Sequence, residues 1–125
     1  FQAICRLWSP PNAMVAEDRA YLNDPEALAR ANRRFHRQVH LASHNRYLVQ
    51  QLELVHRSMA LLATTSLAAE GRGTAALAEH AAIVAAIAVG DPVAAEAALK
   101  AHISQAFETR LKLDAAAPRR AGQAG

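Results

Sequence analysis

His36, His80 and His102 stand on the apolar stripes of three different predicted helices, where leucine is the usual occupant. Leu28, Asn32, Phe35, Val39 and Ala42 recur at the three-and-four spacing of one helix face, with His36 beside them. Leu77, His80, Val84 and Ile87 repeat that spacing, and so do Ala95, Leu99, His102 and Ala106, flanked by Ile103. A buried imidazole with no partner loses its hydration, at a cost on the order of a few kcal/mol. Two arrangements would offset that cost. Each ring could find its own hydrogen bond in the core, or all three could converge on one divalent metal held between facing helices. Three such rings in one small domain favour convergence.

The elements that must position these rings follow from local capping signals. The apolar stretch Phe1 to Trp8 predicts a short helix, stopped by Pro10-Pro11, and Asn12 could cap a second one to about Leu22. Asp24 as N-cap, Pro25 at the first helical position and Glu26 in the first turn start a helix to about Ser43. Asn45 opens a long helix to about Ser66, with Leu48, Leu52, Val55, Met59 and Leu62 as its stripe. Gly71 and Gly73 break the chain before a helix from Thr74 to about Val89. Gly90-Asp91-Pro92 repeats the stop, cap and start ahead of a last helix to about Leu113. Nothing alternates with the period of a strand. An all-α antiparallel bundle of about six helices with short loops is expected: an N-terminal helical segment over 1–23, the ligand-binding bundle over 24–114 and a disordered tail over 115–125.

Composition narrows the function classes. At 52 % hydrophobic residues the 125-residue chain can fill one core, and at 5 % aromatics its helices must pack on small side chains. The longest apolar run, Ala81 to Val89, falls short of the roughly 18 residues a membrane span requires. The lone Cys5 excludes an internal disulfide and fits a reducing, cytoplasmic setting. A chain opening at Phe1 reads as part of a longer protein. The net charge of +3 raises nucleic acid as a partner, but Arg30, Arg33, Arg34 and Arg37 occupy the face opposite the stripe. Arg119 and Arg120 lie in an Ala-, Gly- and Pro-rich tail, and no aromatic side chain is interleaved with either group.

The segment Asn32-Arg33-Arg34-Phe35-His36, followed by Ala42-Ser43-His44-Asn45, resembles the first signature of the FCD domain. Glu79-His80, Ile83, Ala86-Ile87, Gly90-Asp91, Ala95 and His102 are similar, at their spacing, to its second. FCD domains are the effector-sensing halves of FadR-type regulators in the GntR family of bacterial transcription factors. The resemblance implies a dimerising helical bundle around a small-molecule pocket, often with a divalent metal held by one carboxylate and three histidines. It places those ligands at Asn32, His36, His80 and His102, with zinc or nickel the natural ion for three imidazoles. Asn32 departs from the pattern, offering a neutral carbonyl oxygen in place of a carboxylate. DNA binding would belong to a winged-helix domain absent from this chain.

On this reading the function is effector sensing and dimerisation, with a small organic acid ligating the metal and shifting the bundle between states. His56 is a candidate pocket-lining residue, and Arg57 a candidate partner for an effector carboxylate. His40 and His44 continue the ladder from His36 but rotate away from the stripe, toward the surface or a dimer face. Glu79, about 100° round the helix from His80, is expected to be solvated. A hydrolytic enzyme needs a base or nucleophile in the pocket, and the stripes supply only Asn32 there, so a non-enzyme is expected. A metal-free acyl-type sensor is the alternative.

Overall fold

Two aspartate–proline pairs start the helices that carry the site. In the computed structural model, which describes residues 11–59, 61 and 65–118, the Asp24 carboxylate accepts a hydrogen bond from the Ala27 N–H at 2.9 Å. Pro25, whose missing N–H is no loss there, opens the helix Pro25–Ala42 (α2). Asp91 repeats this on the Ala94 N–H at 2.9 Å, opening Pro92–Ala116 (α5). The preceding helix, Arg72–Ala88 (α4), ends in a paired-bond turn. Gly90, at φ 71°, donates to the Ile87 carbonyl and Asp91 to the Ala86 carbonyl. The α4–α5 connection is therefore short and fixed by its own hydrogen bonds.

Two further helices complete the bundle, Pro11–Asp18 (α1) and Arg46–Met59 (α3), with 3-10 turns at Arg19–Tyr21 and Ser66–Ala68. Asn45 caps α3 by accepting from the N–H groups of Tyr47 and Leu48, each at 3.1 Å. The described residues hold five α-helices and no strand, so the fold is the expected all-α bundle with one helix fewer than about six. The helix expected over Phe1 to Trp8 lies outside the described residues, as does most of the tail expected to be disordered. Two boundaries differ. α3 stops at Met59, not near Ser66, and Thr65 starts a separate turn by accepting from the Leu67 N–H. α4 begins at Arg72, so Gly73 is helical and breaks nothing. A Cβ at Gly73 would lie 2.8 Å from Leu28 Cδ2, so the glycine lets α4 approach α2.

Leu28, Phe35, Leu77, Ile83 and Val84 form the centre of the core, with Val15 from α1 and Leu67 from the second 3-10 turn. α4 packs against α5 and α1, and α2 packs against α3. α3 contributes no buried residue. Leu48, Val55 and Met59, expected as its inward stripe, are exposed, because α3 packs chiefly on α2; Leu62 lies outside the described residues.

Candidate metal centre

His36 leaves α2, His80 leaves α4 and His102 leaves α5, and all three rings are buried at one point of the bundle. One ligand nitrogen from each can be chosen so that all lie within 4.8 Å of one another. The Nε2 atoms of His36 and His102 are 3.1 Å apart. Two nitrogens at about 2.0–2.1 Å from one tetrahedral ion lie about 3.3 Å apart, so this pair is already spaced for a shared ion. Phe35 stacks on His80 with ring centroids 3.8 Å apart and planes at 13°, which fixes that imidazole. Neither ring nitrogen of His80 has a hydrogen-bond partner among the described residues. The interior thus holds an unsatisfied ligand atom beside two converging ones.

Behind His102 stands a carboxylate. Glu79 accepts from His102 Nδ1 at 2.6 Å, and it also binds Arg72 bidentately at 2.9 and 2.7 Å. Donating its Nδ1–H to Glu79, the His102 ring turns its Nε2 toward His36. Burial alone would raise the pKa of Glu79, but hydrogen bonds from Arg72 and His102 bring it below the ordinary value. The expectation that Glu79 is solvated is corrected here. The step of 100° that turns it from His80 aims it at α5 and at Arg72, seven residues earlier on its own helix. Arg72, 5 % exposed, had drawn no notice in the sequence. The spacing of Arg72 and Glu79 by two helical turns is the signal that could have paired them.

A second carboxylate enters from α1. Asp18, 1 % exposed, lines a narrow recess with Asn32 and His80 and, among the described residues, accepts a side-chain bond only from Arg34, at 3.4 Å. Burial raises its pKa, against the pull of Arg34. The expectation that Asn32 is the sole polar group beside the stripes is therefore also corrected. Burial, then the neighbouring imidazoles, lowers the pKa of His36 to about 3. The same causes, with Arg72 added, lower His80 to about 2. Both rings are neutral at pH 7, the form that ligates metal.

The remaining candidates sit on the α3 side. His56 is half-buried, its ring centroid 5.9 Å from that of His36, and His40 lies 5.3 Å from His56. His40 is thus turned inward between helices, not to the surface. His44 is exposed at φ 52° in the α2–α3 turn, and Arg57 is exposed.

No curated protein and no solved structure matches the chain. The FCD domain family does, over residues 12–105, a stretch that contains nearly all of α1, all three buried histidines, Asn32 and Glu79. Covering well over half of the sequence, that match shows that the chain belongs to the FCD domain family, the effector-binding domains of GntR-family regulators.

Proposed function

We propose that this domain senses a small organic acid at a divalent metal, zinc or nickel, held by His36, His80 and His102 with the Asn32 carbonyl beside them. The observation that carries this is the buried His80 ring, with both nitrogens unpartnered, next to His36 and His102 nitrogens 3.1 Å apart. Separately satisfied core histidines account for His102, which has Glu79, but leave His80 without compensation. The bound ion supplies Lewis acidity, a positive centre for a carboxylate. Glu79 is occupied by Arg72 and His102 and so is not available as a base, which leaves Asp18 as the carboxylate nearest His80.

The recess beside His80 is too narrow to admit a water molecule, still less an acid. That recess is walled by α1, α2, the turn carrying Leu67 and α4, so an acid would instead approach from the His36 side, where α3, which buries nothing, is the element freest to move. His56 faces the site from α3, with Arg57 next to it for the outer end of the acid. A second copy of the chain would cover apolar residues left open on α3 and α5, including Val55, Met59, Phe107 and Leu111. In a complete cytoplasmic regulator, acid binding would reset the spacing of two DNA-binding heads by its differential affinity for two bundle states.

Substitution of Asn32 tests the metal. Asn32→Asp places a second carboxylate near Asp18, so without metal the chain should lose on the order of 2 kcal/mol. Zinc should reverse the loss and bind roughly ten- to a hundredfold more tightly than to the parent. Melting curves with chelator, with zinc, and with zinc plus a panel of carboxylic acids check this. Destabilisation that zinc leaves unchanged, together with no zinc uptake by the parent chain, removes the metal sensor.

A further inference from the structure

A second group of ligand-bearing side chains lies outside the triad, where α2 crosses α3. His40, one helical turn beyond His36, faces His56 with ring centroids 5.3 Å apart and planes at 76°. Neither imidazole has a hydrogen bond among the described residues. Two imidazoles on one ion, with metal–nitrogen bonds of about 2.0–2.1 Å, bring their centroids to about 4.5–5.2 Å. Among the described residues only the triad has three ligand atoms already converged, so the His40–His56 pair, close in centroid spacing but edge-to-face, must turn its rings to share an ion. His36 is not part of it: its centroid is 6.2 Å from His40 and 5.9 Å from His56, and its Nε2 is committed to His102.

A carboxylate is available from the same face of α3. Glu53 precedes His56 by three residues, the spacing that places two side chains together on a helix. It rests against Arg37 Nε at 3.6 Å, with the two side chains 38 % and 63 % exposed. An exposed pair of that length is worth about 0–1 kcal/mol, so the carboxylate is free to swing. Glu53 already acts on His40, opposing the effect of burial and of His56 on that ring.

We propose that His40, Glu53 and His56 form a second divalent-metal site on the solvent side of the triad. Two histidines and one carboxylate suit a first-row divalent ion and leave positions open to water. The site is weaker than the inner one, because Glu53 must leave Arg37 and all three side chains are partly hydrated. Its existence does not depend on the triad holding metal.

Cobalt(II) titration of the full 125-residue chain, freed of metal by chelator, separates the two sites by visible absorption and native mass spectrometry. Two ions per chain are expected, one tight and one weak. The double variant His40→Ala/His56→Ala should lose the weak ion and keep the tight one, while His80→Ala/His102→Ala should do the reverse. Glu53→Gln, at an exposed position that leaves packing intact, should weaken the second ion roughly tenfold or more and keeps the test valid if the double variant misfolds. A single ion lost with His40 and His56 but kept without His80 and His102 upholds the outer site and defeats the inner one. A chain whose bound ions are unchanged by both the double variant and Glu53→Gln overturns the proposal.

Discussion

α4 and α3 both border the histidines and could hardly be less alike. α4 buries eight residues, two of them His80 and Arg72, whereas α3 buries none. α4 also belongs to a polar network that runs from Arg72 through Glu79 to His102 on α5. α3 is tied to α2 by the weak Arg37–Glu53 pair and by half-buried side chains. Of the two helices, α4 is thus the rigid wall and α3 the loosely held one. A binding site that must both fix an ion and admit a second ligand needs this asymmetry.

Breaking the rigid wall should have the largest effect. Arg72→Ala leaves the Glu79 carboxylate facing His102 without its buried cation, and should cost about 3–5 kcal/mol in urea denaturation. A loss below about 1 kcal/mol would mean that the network does not hold α4 to α5. Truncations sharpen the contrast without touching charge. Ile83→Ala, at 1 % exposure, should cost about 2–4 kcal/mol, against under about 0.5 kcal/mol for Val55→Ala at 53 % exposure. Equal losses at the two positions would show that α3 is covered in solution, and a dimer measured by sedimentation would then be the expected cause.

One further effect is graded with pH. In metal-free protein the unfolded histidines take up protons near pH 6.5, while folded His36 and His80 refuse them down to about 3 and 2. Stability is therefore full above pH 6.5 and falls as pH drops below it, by about 1.4 kcal/mol per pH unit for each ring. Urea midpoints between pH 7.5 and 5 with chelator should follow that slope, and His80→Gln should halve it. A flat profile would place both rings in contact with water.

The starts of α2 and α5 were legible because capping is local: Asp24-Pro25 and Asp91-Pro92 carry their whole signal within four residues. The three histidines were legible because a polar ring on an apolar stripe contradicts its surroundings wherever it occurs. Glu79 and Arg72 were not, since charged side chains ordinarily face solvent and their burial depends on α5 arriving beside them. The inward stripe of α3 misled for the opposite reason. Periodicity marks which face is apolar, but not whether anything within the same chain will cover it.

His102 lies at the eleventh of the 25 residues of α5, leaving fourteen beyond it. At 1.5 Å per residue that remainder is a stiff arm of about 21 Å. A tilt of about 5° pivoting at His102 would sweep the far end of α5 by about 2 Å, several times any displacement at the pivot itself. The α4–α5 turn, locked by its own hydrogen bonds, would serve as the fulcrum mount. Occupancy of a buried centre would thereby become motion at a surface that touches neither ion nor acid.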